Sequence, residues 1–248
     1  MLQHKVAVVT GAGSGIGRDI AFKLAAAGAS TVVADIDEAG GRRTMEQIEA
    51  NGGTASFLRV DVSRAEDHAA LVNEAQQRFG GLHVAVNNAG IGGPSAPMGE
   101  YPLDGWEQVI GINLTGVFLA MRHQLPAMQA AGGGSIINMA SILGQVGFRD
   151  SCAYVAAKHG VLGLTRNAAL EYAASGIRVN AVGPGFIRTP MVENNLDADT
   201  LRALADAHPI GRLGEPAEVA ELVLWLASDK ASFVTGSYYP VDGGYLAQ

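Results

Sequence analysis

Val6-Ala7-Val8-Val9-Thr10-Gly11-Ala12-Gly13-Ser14-Gly15-Ile16-Gly17 is the stretch whose reading decides the fold. Val6–Val9 is a short apolar run that suits a strand buried on both faces. The glycine-rich turn Thr10–Gly17 follows, and residues 15–27 then carry apolar side chains at helical spacing. Glycines at such a turn let the backbone approach a pyrophosphate. The helix that begins there offers unpaired N–H groups and a partial positive charge. A glycine-rich turn alone can be no more than a tight turn, but here a strand precedes it and a helix follows. No lysine succeeds it in the manner of a nucleoside-triphosphate loop.

Outward from this unit the same rhythm repeats. Apolar runs at Thr31–Ala34, Ser56–Val60, Val84–Val86, Ser135–Met139 and Arg178–Val182 alternate with helical segments at 38–51, 64–79, 104–130 and 152–174. Strand–helix–strand repetition without a composition break implies crossover connections, hence a parallel sheet with helices on both faces. The expected fold is α/β, one doubly wound unit over residues 1–248, with no internal repeat or linker. Residues 186–212 break the rhythm: Pro190, Asn194, Asn195 and Pro209 punctuate them, and Leu196–Ala207 reads as a short helix. This excursion is expected to act as a substrate lid.

Composition narrows the function. Of 248 residues, 48% are hydrophobic and 17% charged, enough to bury a sizeable core. Glycine, at 33 residues, is about twice its usual ~7% share, and points to many close backbone approaches. The single cysteine, Cys152, excludes an intramolecular disulfide framework. A net charge of −7 without a basic block argues against nucleic-acid partners, and Val219–Ala227 is too short to span a membrane. A strand within five residues of Met1 leaves no room for a signal peptide, so a cytoplasmic location is expected.

Polar residues gather where strands should end. Asp35 ends the second strand, where a carboxylate can accept from both ribose hydroxyls of an adenosine and repel a 2′-phosphate; an alternative is a helix N-cap. Ser14 and Ile36 put no cation beside it, which favours NAD over NADP. Asp61-Val62 ends the third strand and suits either an adenine contact or a cap. Asn87-Asn88-Ala89-Gly90 ends the fourth and suits a ligand-facing turn or ordinary turn chemistry. Tyr154 and Lys158 are four apart on a helix, so they share a face. An ammonium there is expected to lower the phenol pKa from ~10 toward neutrality and make Tyr154 a usable acid/base. Ser141, at the end of the preceding strand, could hydrogen-bond a substrate oxygen, and Asn113 lies inside a long helix without a capping use.

Together these residues resemble the classical short-chain dehydrogenase/reductase family across essentially the whole chain. The motif set is Thr10–Gly17, Asn87–Gly90, Asn113, Ser141, Tyr154-Val155-Ala156-Ala157-Lys158 and Pro184-Gly185. The resemblance implies a Rossmann-like single domain, usually in a homotetramer, that moves hydride between a nicotinamide cofactor, here NAD, and a small-molecule alcohol or ketone. It implies Tyr154 as acid/base, Ser141 as the group that orients the substrate oxygen, and Lys158 on the nicotinamide ribose. It implies Asn113 at the head of a water relay. Gly11, Ser14, Gly15, Ile16, Gly17 and Asp35 would hold the adenosine and pyrophosphate half, with Asp61 and Val62 at the base. Asn88, Ala89, Gly90, Pro184 and Gly185 would line the cleft, with Ile187 and Thr189 on the carboxamide. Two other readings stand beside it: a 3-oxoacyl-thioester (acyl carrier protein) reductase, disfavoured by Asp35 and the acidic charge, and a non-catalytic nucleotide-sensing protein.

Other conspicuous residues are expected to do less. Cys152 reads as a packing residue, and His159 lies about 100° around the helix from Lys158. The six histidines show no metal spacing, so no metal is expected. Trp106 and Trp225 read as packing residues, and Asp197/Asp199 and Glu215/Glu218 as helix-start charges. Substrate choice is expected in loops 91–100, 142–150 and 186–208. Met98, Leu143, Val146, Phe148, Met191 and Leu196 there suggest an uncharged, moderately apolar pocket, while Arg149 and Asp150 add a polar contact or close a turn.

Overall fold

Each of the six apolar runs forms a strand, and their period-two side chains feed two separate cores. The computed structural model describes residues 1–193 and 197–248. In chain order the main elements are β1 (Val6–Thr10), α1 (Gly15–Ala26), β2 (Ser30–Asp35), α2 (Glu38–Ala50), β3 (Thr54–Arg59), α3 (Ala65–Phe79) and β4 (Val84–Asn87). Then come α4 (Leu103–Ile110), α5 (Gly116–Ala130), β5 (Gly134–Met139), α6 (Cys152–Tyr172) and β6 (Ile177–Pro184). Three helices, α7 (Pro190–Glu193), α8 (Ala198–Asp206) and α9 (Pro216–Ala227), precede β7 (Tyr238–Val241).

The sheet has seven parallel strands in the order β3-β2-β1-β4-β5-β6-β7. Its doubly wound, Rossmann-like form is the expected one. Ala7 and Val9 of β1, Val33, Val86 and Ile137 face α1 and α9, whose Ile20, Leu24, Val219 and Val223 pack against them. Val6, Val8, Val32, Ala85 and Ile136 point the other way, onto Leu71 of α3, Val117 and Met128 of α5, and Val161 and Leu162 of α6. Burying each such side chain contributes roughly 1.5–3 kcal/mol. These two layers hold the carboxyl ends of β1, β4, β5 and β6 in register, and the site is built there.

The structure departs from the sequence reading in four places. β7 goes unforeseen because it is four residues long and contains Pro240. Pro240 is tolerated because β7 is the outer strand, paired to β6 alone. The expected helix 104–130 is interrupted by a π-helical turn at Gly111–Thr115. α9 adds a full helix, absent from the expected helical segments, to the helix start read at Glu215/Glu218, and a capping box between those two residues opens it. Trp106 is 40% exposed rather than packed, because the buried stripe of α4 runs through Gly105 and Val109.

In the excursion, α8 is capped by Asp197, whose carboxylate accepts from Thr200 N at 2.7 Å. Asn194, Asn195 and Leu196 lie outside the described residues. Among the described residues no helix is long and apolar enough to cross a membrane.

Candidate active site

The turn after β1 is shaped for something to lie against it. Gly11 has φ +64° and Gly15 φ +51°, both in the left-handed region. A Cβ on Gly17 would sit 2.1 Å from the Gly11 carbonyl oxygen and 2.4 Å from Asn88 Nδ2. Only glycine permits that packing. Ser14 is the N-cap of α1 but its side chain accepts no capping bond, and no acidic residue lies in the first turn. The positive end of the helix is therefore not neutralised by its own side chains.

Asn88 fastens this turn to β4. Its Nδ2 donates to Thr10 O (2.9 Å) and Gly11 O (3.2 Å). The Thr10 hydroxyl, which sequence reading treated only as the first letter of the motif, accepts from Asn88 N (3.0 Å) and Ala89 N (3.2 Å).

Asp35 is no helix cap. Its Oδ2 accepts from Gly13 N at 2.7 Å and its Oδ1 from Asp37 N at 2.9 Å, while Asp37 caps α2 by accepting from Ala39 N. The carboxylate thus stands beside the glycine turn. Asp61 accepts from the hydroxyl and backbone N–H of Ser63, bonds that hold its carboxyl below the usual range. It does not cap α3, whose N-cap is Arg64. His68, buried on α3, donates from Nε2 to Val62 O at 2.8 Å; burial lowers its pKa and favours the neutral ring.

At the other end, Ser141 follows β5 and caps the short turn Ile142–Gly144, its Oγ accepting from Leu143 N at 3.1 Å. Ser141 acts on the Tyr154 phenol as a hydrogen-bonding neighbour that lowers its pKa. Lys158, one turn after Tyr154 on α6 and 4% exposed, donates from Nζ to Met139 O at 2.7 Å. Its Nζ lies 5.4 Å from the centroid of the Tyr154 ring. Burial brings the ammonium pKa down to about 8. Burial pushes the Tyr154 phenol up, opposed by Ser141. The expected lowering of the phenol pKa by Lys158 is therefore not the balance seen here. The ammonium is held by a carbonyl across the ring face, and desolvation penalises both charges.

Asn113 sits at 0% exposure in the π turn. Its Oδ1 accepts from Ile91 N (2.9 Å) and its Nδ2 donates to Ile91 O (2.8 Å). Both faces of the amide are thereby spent on fixing the chain after Gly90.

One cavity of about 640 Å³ connects these parts. Every expected site residue lines it except Asn113, which stands behind the wall. Thr189 reaches the glycine turn, since a Cβ on Gly15 would lie 3.2 Å from Thr189 Cγ2. Ile187 is fixed by a bridge to Gly214.

The end beyond Tyr154 is mostly apolar, lined by Ile142, Leu143, Phe148, Phe186, Met191 and Leu204. Of the residues expected there, Met98 is 78% exposed and Val146 also faces outward, because their loops turn them off the cavity. Asp150, at φ +60°, ties its loop to the loop 91–100 by accepting Ala96 N on its carbonyl at 3.1 Å. Cys152 is half-buried and His159 exposed. Sequence reading missed the partners behind the site: Thr10, Tyr238, whose hydroxyl donates to Ser141 O at 3.1 Å, and an aromatic cluster behind Phe186. No local motif marks Tyr238 or the aromatic cluster, and the motif that contains Thr10 does not reveal its bonds to Asn88 and Ala89.

Comparison with known proteins adds the following. A family model described as enoyl-(acyl carrier protein) reductase matches residues 11–246. The chain is 49% identical over 245 residues to a cyclohexanol dehydrogenase of Acinetobacter sp. (strain SE19), covering 99% of this chain and 96% of that protein. It is 51% identical over 244 residues to a cis-4-hydroxycyclohexanecarboxylate dehydrogenase of Sinomonas cyclohexanicum, covering 98% and 97%. The crystal structure of levodione reductase superposes with a TM-score of 0.97 at 38% identity, over 100% of this chain and 99% of that one.

Proposed function

The chain belongs to the classical short-chain dehydrogenase/reductase family, and on that footing we propose that it is an NAD-dependent dehydrogenase of uncharged cyclic secondary alcohols, with Tyr154 as acid/base. The observation that carries this reading is the convergence of Ser141, Tyr154 and Lys158 at the apolar end of a cavity whose other end is a glycine cradle beside Asp35. The two curated relatives named above act, by their names, on hydroxylated six-membered rings.

The residues present fit a nicotinamide dinucleotide. Gly11 and Gly17 line the cavity in a turn packed so closely on Asn88 and Ala89 that a Cβ at either would force it open, and the Asp35 carboxylate suits ribose hydroxyls at the adenosine end. Ile36, 55% exposed, and Ser14 offer no cation for a 2′-phosphate. The bound cofactor supplies the hydride acceptor or donor. Ser141 and Tyr154, which both line the cavity, supply a pair of hydroxyls for the substrate oxygen. In oxidation the Tyr154 phenolate takes the alcohol proton; in reduction the neutral phenol returns it. Lys158 is the only cation lining the cavity among the described residues, and when charged it favours phenolate. Asn113 positions the Gly90–Ile91 backbone that forms the cavity wall. The described part of residues 186–212 covers the substrate end as a lid, with Thr200 and Leu204 of α8 facing inward.

Exposed Phe118, Leu170 and Phe233 support the homotetramer usual in the family, which light scattering tests directly. The lone thiol of Cys152 suits a cytoplasmic setting.

Absorbance of NADH at the start of cyclohexanol oxidation tests the reading. No reduction of NAD with any cyclic secondary alcohol would refute it. The family model's description favours one second reading, an acyl-thioester reductase. Acetoacetyl-CoA reduction with NADPH, faster than cyclohexanone reduction with NADH, would establish it instead.

A further inference from the structure

The wall of the alcohol pocket leads back, ring by ring, to the end of the chain. Phe148 and Phe186 line the cavity with ring centroids 5.7 Å apart. Behind Phe186 stands His208, edge-on at 5.8 Å, and beside both lies Tyr245, 6.0 Å from Phe186 and 5.5 Å from His208. Neither His208 nor Tyr245 lines the cavity or touches Tyr154, so the acid/base chemistry does not account for them.

His208 is 2% exposed and doubly bound. Its Nδ1 lies 2.7 Å from Leu204 O, and its Nε2 accepts from Phe186 N at 3.2 Å. Only the neutral ring with its proton on Nδ1 satisfies both partners. A Cβ on Gly185 would fall 2.7 Å from that Nε2, so the backbone before Phe186 packs flush on the imidazole.

The tail is equally built. Asp242 accepts from Gly244 N on Oδ1 and from Leu246 N on Oδ2, both at 3.0 Å. Gly243 and Gly244 take φ +55° and +89° to turn the chain. Ile210 N donates to Gly243 O at 3.1 Å, and Gln248 Nε2 to Ala207 O at 2.9 Å. These bonds seat the Tyr245 ring against Phe186.

We propose that the C-terminal tail sets the size of the ring this enzyme accepts, with Tyr245 and His208 as positioning residues that hold Phe186 as the far wall of the alcohol pocket. An aromatic ring backed by two others cannot retreat, so a six-membered ring finds a fitted surface and a larger ring meets a rigid one. With Tyr245 reduced to a methyl group, Phe186 can move into the vacated space. The small ring then loses contact and the large ring gains room. A misfit of even one methylene in such a pocket changes kcat/KM about 10–200-fold.

The inference rests on the cyclic-alcohol reading, so turnover of cyclohexanol by the wild-type protein is measured first. No turnover sinks that reading and this inference with it. With turnover in hand, kcat/KM for cyclohexanol is compared with that for cyclododecanol in wild-type, Tyr245→Ala and Tyr245→Phe. The cyclohexanol-to-cyclododecanol ratio is expected to fall at least about tenfold in Tyr245→Ala, mainly through KM for the alcohol, with KM for NAD within about twofold. Tyr245→Phe keeps the ring and is expected to restore the wild-type ratio. An unchanged ratio in Tyr245→Ala, or equal losses on both alcohols with a shifted KM for NAD, would overturn the inference. A single chromatographic form and a cooperative melt show that the variants are folded.

Discussion

Replacing Asp35 with serine should transfer this enzyme's preference from NAD toward NADP. The carboxylate lies at the adenosine end of the cavity, half-exposed, with its two oxygens 2.7 Å from Gly13 N and 2.9 Å from Asp37 N. Two unit charges at ~4 Å repel by ~1 kcal/mol under full water screening and by ~4 kcal/mol at an effective dielectric of ~20. A 2′-phosphate carries nearly two charges at neutral pH. Even the fully screened value therefore gives about 2 kcal/mol against NADP, roughly a thirtyfold discrimination. NAD gains further from carboxylate–hydroxyl bonds at about 1.5–3 kcal/mol each.

In Asp35→Ser the repulsion vanishes, so kcat/KM for NADP should rise at least about tenfold and that for NAD should fall. The serine hydroxyl replaces only part of the acceptor capacity facing Gly13 and Asp37, so stability should drop by about 1–2 kcal/mol. The assay is kcat/KM for each cofactor at saturating cyclohexanol, at two salt concentrations. Added salt should narrow the wild-type preference, because the carboxylate is partly solvated. Equal efficiencies for NAD and NADP in the wild type, or an unaltered ratio in the variant, would refute the reasoning.

Further outcomes follow from the same geometry. Gly17→Ala places a Cβ 2.1 Å from Gly11 O, so NADH titration should show affinity reduced at least a hundredfold; binding within threefold of wild type would count against the cradle. Oxidation requires phenolate while burial holds the Tyr154 phenol up, so the oxidation rate should climb with pH above neutrality and reduction should decline. A profile flat from pH 7 to 9 would contradict this assignment. Lys158 is the only cation lining the cavity among the described residues, and Arg188 is engaged by Glu193 and Glu215. A ring carboxylate therefore finds no counter-ion beyond Lys158, which is held by Met139 O, and kcat/KM for cis-4-hydroxycyclohexanecarboxylate should lie at least tenfold below that for cyclohexanol; parity would show a further cation reaching the pocket.

What could be read from the sequence divides along a physical line. Local pattern carries the strands β1 to β6, because residues such as Val8 and Ile136 must be apolar wherever a strand is covered on both faces. It carries the site residues too, since glycines and polar groups at strand ends stand where open α/β sheets bind ligands. Features set by long-range packing are not legible. Pro240 disguises β7, whose only requirement is one neighbour. The π turn at Asn113 is not legible, because glycines such as Gly111 and Gly116 also occur inside ordinary helices and the amide's bond pair to Ile91, 22 residues away, leaves no local signal. The charge balance at Tyr154 was misjudged for a related reason. Spacing reveals that Lys158 is near, but not that Met139 O holds its nitrogen or that burial pushes the Tyr154 phenol up. Tyr245 and His208 meet only because the tail folds back on the excursion.

The most direct test of the whole account is Tyr154→Phe, which removes one oxygen from the place where Ser141 and Lys158 converge. Steady-state oxidation of cyclohexanol should fall by about two to four orders of magnitude, while NADH affinity by fluorescence titration stays within about twofold. Turnover retained above a tenth of wild type, with the variant still binding NADH, would contradict Tyr154 as the proton-transferring group.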